Sequence, residues 1–245
     1  MDKNCQPLGL IISIVILGAA IFFAGSQISQ GLKQFRSFDR SVTMKGLAER
    51  EVSADLVIWP LSYTETGNDL MPLQDLMDMR GKLILSFLSA NGIKEEEVEL
   101  QQVQVQDLMA QSYRQSNVSD NRYILTQTYL VKTNDIEAVS KAAKKLGDLI
   151  RQGVVFSQGG STAPTYLYTK LNDVKPEMIA EATKNAKEAA KEFANNSGQK
   201  VGAIKYASQG IFQILPRDET YTVPEAQQKD KIVRVVSTVQ FTLED

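Results

Sequence analysis

The spacing of apolar side chains divides the chain into stretches of different character. The first is Leu8-Gly-Leu-Ile-Ile-Ser-Ile-Val-Ile-Leu-Gly-Ala-Ala-Ile-Phe-Phe-Ala24, which has no polar face and lies in a stretch without charge between Lys3 and Lys33. As a helix rising about 1.5 Å per residue it reaches roughly 25 Å, close to the ~30 Å hydrocarbon core of a bilayer. It predicts an N-terminal transmembrane helix in contact with lipid through residues 8–24, with residues 1–40 as anchor and linker.

Beyond Arg40 the pattern becomes that of a globular body. Ser41–Val52 and Leu56–Thr66 alternate with period two and are rich in Val, Ile, Thr, Tyr and Trp, which predicts two strands joined by a turn at Ser53–Asp55. Pro60 lacks an N–H and marks an edge or a bulge. Leu73, Leu76, Met77, Ile84, Phe87 and Leu88 fall at helical spacing and predict a helix over 69–90, stopped by Asn91-Gly92. Val98, Leu100, Val103 and Val105 predict a further strand, and the polar stretch 111–121 a loop.

From Arg122 the order is strand (122–132), helix (134–150), short strand (153–156), strand (163–171), long helix (173–196) and strand (201–206, 211–215). This β-α-β-β-α-β order is that of a ferredoxin-like unit. Lys231–Leu243 reads as a strong last strand able to rejoin the first sheet. The expected fold class is α+β, an N-terminal transmembrane helix followed by a two-part mixed body. One lobe is expected over 41–110 plus 216–245, with an inserted ferredoxin-like βαββαβ lobe over 120–215.

Composition removes much chemistry. The chain of 245 residues carries 27 Lys+Arg against 29 Asp+Glu, no histidine and only Cys5. Without imidazole or paired thiols, His-ligated metals, zinc thiolate clusters, His-based triads and intrachain disulfides are excluded. The near-neutral balance speaks against nucleic-acid binding. The N-terminal run also resembles a secretory signal peptide, with Ala24-Gly25-Ser26 as a passable cleavage site; an uncleaved signal-anchor is the first reading and a cleaved signal the second. Lys33, Arg36 and Arg40 outnumber Lys3 across the run, so charge alone leaves the side on which the body lies open.

A family resemblance rests on particular residues. Val42-Thr-Met-Lys-Gly46-Leu-Ala-Glu49-Arg-Glu51-Val52-Ser53-Ala-Asp55-Leu56 resembles the V-x-G-x-G/A-E-x-x-V-x-P-D opening of the SIMPL-domain family. The strand 123–131 leading to the helix 135–149, the Gly153-Val-Val-Phe156 step and the Ala-rich helix ending in Ser197-Gly198-Gln-Lys-Val201-Gly202 continue the pattern over nearly all of 41–245. Ala54 departs from it where the family has proline, and Lys45-Gly46-Leu-Ala48 is less rich in glycine than usual. The resemblance implies an exported bacterial cell-envelope protein, often periplasmic, with a mixed α+β body that tends to self-associate, and brings no family-wide enzymatic activity. It favours a single-pass protein of the bacterial inner membrane with its body on the periplasmic side.

Local features add no catalytic, cofactor-binding or metal-ligating residue to this picture. The Glu95-Glu-Glu-Val-Glu99 run lacks the spacing of a calcium loop and reads as a solvated turn, and Gly159-Gly160-Ser161 reads as a hairpin turn rather than a phosphate cradle. Ser140 and Lys141 adjoin on one helix and face different ways, so they form no dyad. Trp59 and Tyr63 share a strand face and read as packing; Ala180, Ala182, Ala186, Ala189, Ala190 and Ala194 read first as packing of their helix on its own sheet, second as a contact between copies. The expected function is therefore a non-enzymatic, membrane-tethered envelope protein that forms a homo-oligomer as a scaffold or stress-protective assembly. The alternative is an extracytoplasmic module that binds a small ligand or peptide.

Overall fold

The computed structural model describes residues 16–18, 22, 25, 40–110, 121–157, 162–218 and 223–244. Among the described residues from 40 onward the order is β1 (Ser41–Ser53), β2 (Leu56–Gly67), α1 (Leu70–Ala90), β3 (Val98–Asp107), β4 (Tyr123–Thr133), α2 (Ile136–Lys144) and α3 (Leu146–Arg151). It continues with β5 (Thr165–Leu167), α4 (Leu171–Asn196), β6 (Lys200–Gln209), β7 (Gln213–Pro216) and β8 (Asp230–Glu244). One sheet has the order β3-β4-β2-β5; the other runs β1-β8-β6, with β7 also pairing with β8.

The described residues divide into two compact units, the first drawn from within 1–48, 177–212 and 235–245, the second from within 49–176 and 213–234. In the second unit, β2 and β4 pair antiparallel without interruption from Val57↔Thr133 to Gly67↔Tyr123. Pro60 fits because β5 pairs only with Leu56–Ile58 and has ended before it. Alternation puts Val57, Trp59, Leu61 and Tyr63 on one face, where they are completely buried. Above them α1 lies over β2 and β4, and buries Leu73, Met77, Gly81, Ile84 and Leu88 at its three- and four-residue spacing. Gly92, with φ of +90°, follows its end. Asp135 caps α2, its carboxylate accepting from the Ala138 amide at 2.9 Å. On β8 alternation turns Lys231 inward, where its side chain is fully buried and its ammonium donates to the Glu225 carbonyl at 2.7 Å and to the Glu225 carboxylate.

The first unit is built around α4. Met178, Ala182, Ala186, Ala190 and Ala194 recur every four residues on its buried face. Ala186, Ala190 and Ala194 pack with Val42, Val239, Phe241 and Leu243. Of the alanine stripe, Ala182, Ala186, Ala190 and Ala194 are core, while Ala189 is half-buried and Ala180 exposed. Small side chains let helix and strand approach so closely that a Cβ on Gly46 of β1 would stand 1.8 Å from the Ala182 carbonyl oxygen and 2.5 Å from the Ala186 nitrogen.

Three expectations need correction. The class is α+β, but the expected transmembrane helix is not found: among the described residues no helix is long and apolar enough to cross a membrane. The long helices α1 and α4 are amphipathic and carry charged residues, and the run 8–24 lies mostly outside the described residues, with 16–18 and 22 helical. Secondly, the βαββαβ order over 120–215 does not close into a ferredoxin-like insertion. β4 pairs with β2 and β3, whereas β6 pairs with β8, so the strands of that stretch are shared between two sheets. Thirdly, local boundaries differ. The helix expected over 134–150 breaks at Lys145 into α2 and α3, and the step 153–156 makes only an isolated bridge from Phe156 to Tyr63. The strand 163–171 shrinks to Thr165–Leu167, because α4 already starts at Leu171 with Pro176 inside it. The loop residues 111–120, the turn at Gly159-Gly160-Ser161, and Cys5 lie outside the described residues.

Candidate functional site

Among the described residues the sheet of the second unit has two edges, the three-residue β5 and the ten-residue β3. β3 pairs with β4 from Val98↔Val131 to Asp107↔Tyr123, with one bulge between Leu100 and Gln102. Its Val98, Leu100, Val103 and Val105 stand opposite Val131, Tyr129, Gln127 and Leu125, and so occupy the face on which β4 is buried. Leu100, Val103 and Val105 are nevertheless 51%, 46% and 50% exposed. On this face α1 packs on β2 and β4. An apolar row thus belongs to the core face of the sheet without being covered by it.

A groove of about 530 Å³ opens where this row begins. Leu85, Leu88, Ile93 and Val98 give it apolar walls, and Ser86, Ser89 and Glu95 add polar groups at its rim. A second hollow of about 330 Å³, between α2 and the start of β5, is lined by Ser140, Lys144, Tyr166 and Gln227.

Beneath α1 the sheet buries a polar core. The rings of Tyr63 and Tyr129 lie stacked, centroids 6.2 Å apart and planes 8° from parallel. Tyr63 donates to the Met77 carbonyl at 3.1 Å, and the Gln127 amide donates to the Tyr129 hydroxyl at 3.3 Å. Burial, then the neighbouring phenol of Tyr129, holds the Tyr63 hydroxyl protonated far above its ordinary range, and burial also raises Tyr129. These hydroxyls are hydrogen-bonding groups rather than bases. Trp59 is also core, its indole N–H donating to the Thr162 carbonyl at 2.7 Å. Near them Glu65 stands 3.5 Å from Arg80; burial raises its carboxyl above the usual range against the pull of that guanidinium.

The acidic run behaves as a turn. Glu95–Glu97 form a single 3-10 turn in which Glu97 accepts from the Lys94 amide at 2.9 Å and from the Thr133 hydroxyl. Among the described residues no three His, Cys, Asp or Glu side chains stand together as metal ligands. Ser140 and Lys141 lie on α2, the first half-buried and the second exposed.

The turn after β1 explains the residues on which the resemblance rests. Asp55 accepts from the Thr169 amide at 2.6 Å and from the Thr169 hydroxyl at 2.7 Å. Burial works against its charge, but those two bonds, with Lys170 nearby, outweigh it and hold the carboxyl below the usual range. Asp55 therefore ties the first turn to the segment leading into α4. Ala54, where proline is usual, donates its amide to the Lys229 carbonyl at 2.7 Å, a bond no proline can make. Gly46 supplies the close approach of β1 to α4. The motif residues are thus structural, whereas the alternation of Val98, Leu100, Val103 and Val105 marks a strand without marking it as an edge.

A comparison with curated proteins finds no match. A comparison with known families matches residues 42–242 to SIMPL, described as a protein of unknown function (DUF541). With the opening motif, the Asp55 turn and the Gly46 packing all inside that span, the chain belongs to the SIMPL family.

Proposed function

We propose that the protein is a non-enzymatic, self-associating scaffold of the bacterial cell envelope, with its body outside the cytoplasmic membrane and residues 8–24 in contact with lipid. The observation that carries the reading is the open β3 edge, whose Leu100, Val103 and Val105 are half-exposed on the core face of their sheet. An edge strand of ten residues with unused backbone groups and a bare apolar row is a template for pairing with another chain. Attachment to a surface makes weak contacts between bodies effective by raising their local concentration. The test is amine cross-linking of the full chain in liposomes over a series of protein-to-lipid ratios. A ladder ending at one discrete size supports the scaffold; monomer alone at every ratio overturns it.

A second reading is favoured by the groove at Leu85, Leu88, Ile93 and Val98. Its volume lies within the range of small-molecule sites, with apolar walls and a few polar groups. There the body acts as an extracytoplasmic binding module for a small ligand or an extended peptide. Ligand-dependent stabilisation of a chain that stays monomeric marks this reading; assembly without ligand rejects it.

A further inference from the structure

The edges of the two sheets differ in their protection. β1 carries Lys45, Glu49, Arg50 and Glu51, β5 has three residues, and β6 is broken by register shifts on either side of Ile204 and carries Lys205. Charges, shortness and bulges are the devices that stop strands from pairing edge to edge. β3 has no charged residue from Leu100 to Gln106 and no proline, and its bulge lies at one end. It is the least guarded of these edges.

Its backbone direction follows from one bond. The Leu108 amide donates to the Arg122 carbonyl at 2.8 Å, in line with the register Asp107↔Tyr123 through Val103↔Gln127. Backbone groups in an antiparallel pair alternate sides, so those of Gln104 and Gln106 point to β4 while those of Val103, Val105 and Asp107 point outward. A strand added antiparallel to this edge has to bond with Val103 and Val105.

We infer that two copies of this chain join through β3 about a two-fold axis at Gln104, with Val103 of each hydrogen-bonded to Val105 of the other. This rests on the scaffold reading and names its contact. The bulge and the charge at the end of the strand select the register. Centring on Val103 sets Val105 of one copy opposite Gln101, the bulged residue, of the other, and centring on Val105 sets Asp107 opposite Val103. Centring on Gln104 puts Val on Val across the bare apolar face, and Gln102 on Gln106 and Gln104 on Gln104 across the other, with no two carboxylates opposed. On that other face the β4 and β2 neighbours already form hydroxyl pairs, Ser62 with Thr128 at 2.7 Å and Thr64 with Thr126 at 3.2 Å. Stacked glutamines prolong that polar ladder across the contact. The partner is a second copy because the strand is complementary to itself in this register.

The test is disulfide trapping of the full chain in detergent, with Cys5→Ser as background. At the axis the two Gln104 residues form a non-hydrogen-bonded pair about 4.5 Å apart at Cα, within disulfide range. Gln104→Cys should become mostly covalent dimer under mild oxidation, while Glu99→Cys stays reduced. Val105→Lys should weaken association about tenfold or more, because a two-fold contact is hit twice. Unchanged Trp59 fluorescence certifies its fold. If the unsubstituted chain associates but the Gln104→Cys variant remains reduced and the Val105→Lys variant associates as before, the β3 contact is wrong and the scaffold stands. If the unsubstituted chain never associates, both fall.

Discussion

Gly46 is the residue on which the first unit depends most directly. Its missing side chain is what allows β1 to lie against the backbone of α4, since an added Cβ would meet the Ala182 carbonyl oxygen at 1.8 Å. Backbone cannot yield as a flexible side chain does, so Gly46→Ala should destabilise the protein by about 3 kcal/mol, read from urea unfolding followed by far-UV circular dichroism. Asp55 makes a second prediction at this scale. Burial opposes its charge, yet the Thr169 hydrogen bonds and Lys170 prevail and depress its folded pKa. Its contribution is therefore complete above the unfolded value of about 3.9 and is lost as pH falls through the folded value. Asp55→Ala should cost about 2 kcal/mol near neutrality and show a shallower loss of stability in acid, with Trp59 emission as the signal. Glu65 acts with the opposite sign: its raised folded pKa means that its contribution is present below the unfolded value and fades as pH rises through the folded one.

At the scale of elements, α1 is held over β2 and β4 by Gly81. A Cβ there would stand 2.7 Å from the Tyr129 hydroxyl and 2.8 Å from that of Tyr63, both on buried, stacked rings. Helix propensity favours alanine over glycine by about 1 kcal/mol. The clash outweighs that gain, because both hydroxyls belong to buried rings stacked on each other. Gly81→Ala should be destabilising by about 1–2 kcal/mol net in denaturant titration, and red-shift Trp59 emission if the core loosens. The elements themselves were largely legible in the sequence: alternation located β1, β2, β4 and β8, and helical spacing located α1 and α4 to within two residues. Partnership was not. The order of strands and helices from Arg122 is compatible with one closed unit, and only pairings between distant residues, such as Val57 with Thr133 and Lys200 with Glu244, divide it between sheets. The candidate site shares that fate. Val98, Leu100, Val103 and Val105 read as a strand, but whether a strand lies at an edge depends on which neighbours it finds. A signal was present in its run of glutamines and lack of lysine between Leu100 and Gln106.

At the scale of the whole molecule, a SIMPL family member over residues 42–242 has, among its described edges, a poorly guarded one in β3. The uncharged run from Leu8 to Ala24 supports the lipid contact proposed for it. Full-length chain should float with neutral phosphatidylcholine vesicles in a density gradient at both low and high salt, since apolar burial is not screened. Recovery in the bottom fraction, or release by salt, would remove that part of the account. The bodies are proposed to associate through the open β3 edge. The most direct measurement is light scattering on the full chain in detergent, corrected for bound detergent, over a concentration series for the unsubstituted protein and for Val105→Lys. The account predicts a discrete oligomer for the first and a shift towards monomer at every concentration for the second. Monomer throughout for the unsubstituted chain would contradict it.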